Sequence, residues 1–348
     1  NQIYELSFVS PELVLNNQKR VSKSYVNTKA NIGDIVFDLL AEDVDGLQTS
    51  KEVIVEETVG TRAMICSNSN PFGFIKRLTK EAVSREGSPH YLFFENKHGY
   101  NFKSLQTIFK QEIRGQFHGG DKGVDEENEV DGSSAKTMQS FKRMIDYNIK
   151  ENKDLLVNSA SGMFGGKVIE HNIYGKSYKV KTFNYFDDED FKRNKRIDDN
   201  RGYSENALGS MTTKKNDEIT NSTIHFIPAS RDSNDNDANF EAGGTPTRHY
   251  ETLLDRQSRF TELLDGISIT MTIHGQTTLT VGDMVEVIIP STGVSDDPDD
   301  KFHSGQYMIK KLRHVFSPPT KSHEISMEVI KDGLPEKLKS SGEEISKK

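Results

Sequence analysis

Cysteine is nearly absent from this 348-residue chain, where Cys66 stands alone. A single thiol excludes an intramolecular disulfide and any cysteine-rich zinc centre. It fits synthesis in a reducing cytoplasm, and a lone cysteine is most often a small buried hydrophobe. Long apolar runs are missing as well: no stretch approaches the ~18 residues a membrane helix needs. The opening Asn1-Gln2-Ile3 runs into a strand-like segment, with no secretory leader visible. Positive charge is in deficit, since 45 Lys and Arg face 53 Asp and Glu for a net charge of −8. Non-specific nucleic-acid binding depends on cations that neutralise phosphates, so the chain as a whole is a poor candidate for it, although a local basic face is compatible with the balance.

Catalytic signatures are also wanting. The ten histidines include no H-E-x-x-H and no pair at helical metal-ligand spacing. Gly162-Met163-Phe164-Gly165-Gly166-Lys167 fails as a phosphate loop. Ser161 holds the first glycine position, and Val168 stands where a Ser or Thr must hold magnesium. It reads as a glycine turn between a helix and a strand. Asp232 through Asp237 is rich in oxygen ligands, but a calcium loop wants Gly at its sixth position and Glu at its twelfth, where this chain has Asp237 and Gly243. Asp296-Asp297-Pro298-Asp299-Asp300 reads as an exposed hairpin loop. No G-x-S-x-G occurs, and no basic-aromatic interleave marks a base-stacking platform. Carboxylates run along the whole chain, and the spatial pairing that glycoside hydrolysis requires is not a property of sequence. The reading is of a protein with no catalytic residue, metal ligand or cofactor.

What is present is patterning, on a chain long enough for two to three domains. Ile3 to Val9 reads as a strand stopped at Ser10-Pro11. Ile32, Ile35, Val36, Leu39 and Leu40 line one helical face behind Asn31 as cap, with Asp34 in the first turn. Val53-Ile54-Val55 is a short strand. Asn70-Pro71 starts a second helix with Pro71, Ile75, Leu78 and Ala82 on one face. Tyr91 to Glu95, a turn at Asn96 to Gly99, and Tyr100 to Leu105 make a hairpin. Residues 115–135 read as an exposed loop, and Met138, Phe141, Ile145 and Ile149 as a helix. Residues 186–247 are polar loops around a short strand, Ile224 to Ile227. Tyr250 to Leu264 reads as a helix. Alternation then marks strands at Ile267 to Ile273, Leu279 to Val281, Val285 to Ile289, Tyr307 to Phe316 and Ile325 to Val329. Such successive, closely linked strands favour an antiparallel sheet or barrel.

The helix pattern P-F-x-x-I-x-x-L from Pro71 to Leu78, followed by Tyr91-Leu92-Phe93-Phe94-Glu95-Asn96-Lys97-His98-Gly99-Tyr100, resembles the baseplate hub proteins of T4-like contractile-tailed phages. It is also a longer relative of the helix and hairpin in type VI secretion spike proteins. Gly162-Met163-Phe164, Asn184-Tyr185 and the strand series after Arg256 fit the same family. The resemblance implies an α+β, β-rich fold of tube-like antiparallel β-barrel domains with an inserted helix-hairpin domain. Residues 1–30 would then close a first barrel whose earlier part lies outside this chain. Residues 31–185 would be the helix-and-hairpin region, 186–247 a polar connection, 248–335 the second barrel and 336–348 a polar tail. It implies a homotrimer whose six barrels adapt the sixfold tail tube protein to the threefold central spike protein. The tape measure protein and other baseplate proteins would be further partners. The protein would be made in the bacterial cytoplasm and carried in the tail baseplate of the virion. DNA would pass through the lumen without specific binding, helped by acidic repulsion of phosphate. Ile269, Met271, Ile273, Val285 and Val287 are the expected assembly interface. The alternatives are a spike-type component of a related injection system, a baseplate peptidoglycan hydrolase, and a DNA-binding virion protein.

Overall fold

A computed structural model describes residues 4–25, 30–41, 46–60, 64–120, 141–151, 153–173, 176–203, 219–228, 249–291 and 299–336. Asp232 to Asp237, Asp296 to Pro298 and Met138 lie outside them, as does the tail beyond 336. The chain divides into two compact units: Asn1–Leu105, Ile169–Lys179 and Phe226–Leu253 form one, and Gln106–Val168, Val180–His225 and Leu254–Lys348 the other. The architecture is α+β and β-rich, with seven helices and fourteen strands among the described residues.

The first unit opens with α1 (Pro11–Gln18), β1 (Val21–Ser24), α2 (Ile32–Ala41), β2 (Glu52–Val55), β3 (Ile65–Ser69) and α3 (Pro71–Leu78). In α2 the cap is reciprocal: Asp34 N–H donates to Asn31 Oδ1 at 2.9 Å, and Asn31 N–H to Asp34 Oδ2 at 3.1 Å. Two otherwise orphaned donors are satisfied at once. The five apolar positions expected on the inner face of α2 are all 2% exposed or less. At α3 the start falls where Asn70-Pro71 put it, but the Asn70 side chain caps no helical N–H. Asn16, in α1, accepts from Phe72 N–H at 2.8 Å, while the Asn70 amide donates to the Asn16 carbonyl at 3.1 Å.

The expected hairpin follows as β4 (Tyr91–Asn96) and β5 (Gly99–Ser104), paired antiparallel, with β2 added parallel to β5. Gly99 is required where it stands. Its φ is +144°, and a Cβ there would lie 2.0 Å from the Glu52 carbonyl oxygen. Ile35, Val36, Leu39, Ile75, Leu78, Tyr91 and Phe102 meet in one apolar core, and Cys66 is buried in it as a small hydrophobe. Burial raises the Cys66 thiol pKa, which disfavours the reactive thiolate. The strand expected at Tyr4 to Val9 does not form: Tyr4–Ser10 joins no strand, and Leu6 and Phe8 are 73% and 86% exposed. Alternation is present there, but a strand also needs a neighbouring edge, which local pattern cannot supply.

The second unit is dominated by a six-stranded sheet in the order β6 (Ile113–His118), β12 (Met284–Ile288), β13 (Gly305–Ser317), β14 (Ser322–Lys331), β11 (Ile267–His274) and β7 (Met144–Glu151). Strand β11 alternates as expected and pairs antiparallel with both β14 and β7. Three expectations change here. Gly115 to His118 belongs to β6, not to a loop, and β6 runs parallel to β12, so the sheet is not purely antiparallel. The helix expected around Phe141 to Ile149 keeps only Phe141 and Lys142 in helical form, and from Met144 on it is instead the edge strand β7. A spacing of four residues, as in Ile145 and Ile149, satisfies the strand period as well as the helical one, and pairing with β11 decides between them. Leu279 to Val281 is a turn in which Asp283 Oδ2 accepts from Thr280 N–H at 2.9 Å. Two of the six strands thus come from upstream of residue 248. A parallel bridge from His118 to Arg143 joins the two edges of the sheet, so the sheet curls around its core.

The remaining elements are α4 (Leu105–Phe109), α5 (Leu155–Ala160), β8 (Gly165–Asn172), β9 (Ser177–Asn184), α6 (Asp188–Lys192), β10 (Ile224–Pro228) and α7 (His249–Asp265). Gly162 to Lys167 makes the turn from α5 into β8, with Gly162 at φ +78°. Strand β10 and helix α7 lie where their patterns placed them.

Candidate assembly surface, ionic cluster and histidine bridge

All five residues expected at an assembly interface lie in the core of the second unit. Ile269, Ile273, Val285 and Val287 are 0% exposed and Met271 1%, packed with Phe117, Tyr307, Ile325, Met327 and Val329. The curled sheet turns its apolar face inward, so these side chains serve intramolecular packing. On the opposite face of β11, Thr270 is exposed and Ser268 and Thr272 are half-buried.

Exposed backbone is found elsewhere. Strand β13 is 13 residues long, but β12 pairs only with Gly305 to Met308. Strand β11 reaches β14 only as far as Glu324. Beyond Ile309 the far side of β13 therefore has no strand among the described residues, and past Glu324 β13 and β14 continue as a short two-stranded overhang, Phe316 opposite His323 and Ser317 opposite Ser322. Among the described residues, no strand pairs with the outer edge of Lys310 to Ser317. Val315 and Phe316 are 40% and 66% exposed on it. Lys310 and Lys311 both reach Glu328, at 2.8 and 3.0 Å. Burial alone would raise the Glu328 carboxyl, but the hydrogen bonds from the two lysines outweigh it and hold its pKa below the usual range. The sequence pattern marked a strand to Phe316; that half of it lacks a neighbour follows only from the shortness of β12.

Beneath α7 lies a cluster that the polar composition of 186–247 concealed. Arg196 is ion-paired with Glu262, whose carboxylate also accepts from the Tyr185 hydroxyl. Arg259 meets Asp332 at 3.0 Å, and Lys331 meets Asp198 at 3.6 Å. Asn194 donates to Asp255 at 2.7 Å, and Ile197 N–H to Asp332 at 2.9 Å. The Arg196 guanidinium lies 3.8 Å from the centre of the Phe191 ring. Burial works against the Arg196 charge, but Glu262 and Asp332 outweigh it and hold the guanidinium charged. Burial lowers Lys331 to about 8 despite Asp198. Its ammonium donates to the Phe302 carbonyl at 2.7 Å and faces the Tyr307 ring at 4.9 Å. The ion pairs of this cluster are buried, and its geometry is that of a clasp holding the irregular 194–203 segment against α7 and the end of β14. No periodicity could have marked Asn194 and Arg196 as interior.

One histidine bridges two carboxylates. His303 Nδ1 lies 2.6 Å from Asp300 and its Nε2 2.6 Å from Glu151. Lys153 meets Glu151 at 3.2 Å. Burial pushes both carboxyl groups up, but the hydrogen bonds with His303 outweigh it, so both sit below their usual values. A single imidazole occupies both acids, which leaves neither poised as a general acid. Carboxyl groups with depressed folded pKa values contribute stability that is present above their unfolded values near ~4 and lost as pH falls through the folded ones. Thermal melts from pH 7 to pH 3 are expected to show a stability loss below about pH 4 that is smaller in His303→Ala. Equal acid slopes in the two proteins would refute the assignment.

Among the described residues, no group of three or more His, Cys, Asp or Glu is placed to hold a metal ion, and no helix is long and apolar enough to cross a membrane. No family model matches the chain, and no curated protein matches it. Among solved structures it is similar to the tail protein from Neisseria meningitidis MC58. That match has a TM-score of 0.48 and 11% sequence identity, over 91% of this chain and 73% of that one.

Proposed function

We propose that this chain is a non-enzymatic structural subunit of a contractile phage tail, the baseplate hub, acting as a homotrimer between tail tube and central spike. The observation that carries the reading is the outer edge of β13 at Lys310 to Arg313 and Val315 to Ser317, with which no strand among the described residues pairs. An open edge of this length is a template for strand addition by another chain, and a ring of subunits is an assembly in which every copy covers its neighbour's edge. The Pro71–Leu78 helix and the Tyr91–Ser104 hairpin also lie in the order that the hub resemblance implies. In this reading Ile269, Met271, Ile273, Val285 and Val287 hold the core that keeps the sheet, and with it the open edge of β13, rigid.

The test is light scattering over a concentration series. The expected mass is three times that of the 39.3 kDa chain, increased by the mass of the bound spike when spike protein is added. Val315→Lys, which places a charge on the open edge, is expected to shift the protein to monomer without changing its melting temperature. A wild-type chain that stays monomeric even with the tube and spike proteins present would overturn the hub reading.

A further inference from the structure

The overhang of β13 and β14 carries an arrangement that assembly does not explain. Alternation along the two strands places Leu312, His314 and Phe316 on the same sheet face as His323, Ile325 and Met327. Where the body of the sheet fills that face with core, the distal end of the two strands carries two imidazoles and a phenyl ring. His314 Nδ1 and His323 Nε2 face each other at 3.0 Å. The Phe316 ring stacks on His323, with centroids 4.1 Å apart and planes 16° from parallel. On the β11 side, Gly275 leaves room for that ring, since a Cβ there would lie 2.1 Å from the imidazole. Its N–H donates to the His323 carbonyl at 2.8 Å. His323 is therefore held by a stacking partner, a close glycine and a backbone hydrogen bond.

We propose that His314 and His323 form a two-imidazole binding site for a divalent transition metal ion of the zinc or copper class. Bond lengths of ~2.0–2.1 Å at a tetrahedral ion put two ligand nitrogens about 3.3 Å apart. The observed separation of 3.0 Å needs only a few tenths of an ångström of opening. Without metal, one ring donates a hydrogen bond to the other; when metal binds, that ring gives up the proton between the two nitrogens and takes one up on its outer nitrogen, so two neutral imidazoles each present a lone pair with no net proton release, and water completes the coordination shell. Imidazole is a good ligand for both zinc and copper, with copper(II) the tighter of the two by the general affinity order. The two ligands sit on adjacent antiparallel strands of one chain, so each subunit carries its own site, whether or not the hub reading is right.

Titration of Zn(II) into the full chain, followed by calorimetry, is expected to show one saturable site per chain. His314→Ala and His323→Ala should each weaken it by more than the ~10- to 100-fold that loss of a supporting contact alone produces, with the metal-free melting temperature unchanged. Unaltered binding in either variant, or no saturable binding in the wild type, would overturn the proposal. Should a variant fail to fold, Cu(II) bound to the intact chain provides the second test. Electron paramagnetic resonance is expected to show hyperfine coupling to two imidazole nitrogens, and coupling to fewer would overturn the site. The stoichiometry of one per chain is expected in monomer and trimer alike, so loss of the metal site and loss of assembly are read separately.

Discussion

Arg196→Ala is expected to destabilise the second unit by about 3–5 kcal/mol, the loss typical of a buried ion pair deprived of one partner. Arg196 and Glu262 have side chains 4% and 5% exposed. Removal of the guanidinium strands the Glu262 carboxylate in a place water does not reach. It also removes the cation stacked on Phe191 and the donor to the Asp332 carbonyl, 3.1 Å away. At roughly 2–4 °C per kcal/mol for a unit of this size, the melting temperature should fall on the order of 10 °C. The informative control is Arg196→Met with Glu262→Leu. Buried pairs replaced on both sides by apolar groups of similar volume are often neutral or stabilising, so the double variant should recover much of the loss. Chemical denaturation of the single and double variants measures both. A loss below about 1 kcal/mol for Arg196→Ala, the range of surface pairs, would mean that the cluster is solvated.

The second large effect is expected in the apolar face of the sheet. Ile269→Ala should lower stability by about 2–5 kcal/mol, through lost transfer energy and an unfilled cavity. Ile269 is 0% exposed and stands between Val329 of β14 and Ile149 of β7, so the void has neighbours on both sides and little freedom to collapse. Native subunit stoichiometry, measured well below the melting temperature, should not change. Val315→Lys should show the reverse pattern, with assembly lost and stability kept. If Ile269→Ala dissolved an oligomer at unchanged stability, the interface would lie on that residue itself and the core assignment would be wrong.

Local instructions were legible in the amino-acid order wherever the structure they specify closes on itself within a few residues. Asn31 and Asp34 cap α2 because both partners sit in one turn. The β4–β5 hairpin was readable because Gly99 and the flanking aromatics lie within one contiguous stretch. The alternation from Ile267 to Ile273 announced a strand with one buried face, although not which neighbour would bury it. Tertiary structure decided everything that depends on a distant partner. Ile145 to Ile149 was ambiguous because a four-residue spacing is common to both periods, and β11 resolved it as strand. Tyr4 to Val9 alternates yet finds no edge. Arg196, Arg259 and Lys331 look like surface charges in a list of residues. They become interior only because Glu262, Asp332 and Asp198 arrive from elsewhere along the chain to neutralise them, and a buried charge without such a partner could not persist. The open edge of β13 likewise exists only because β13 outruns β12, the strand that covers its other half.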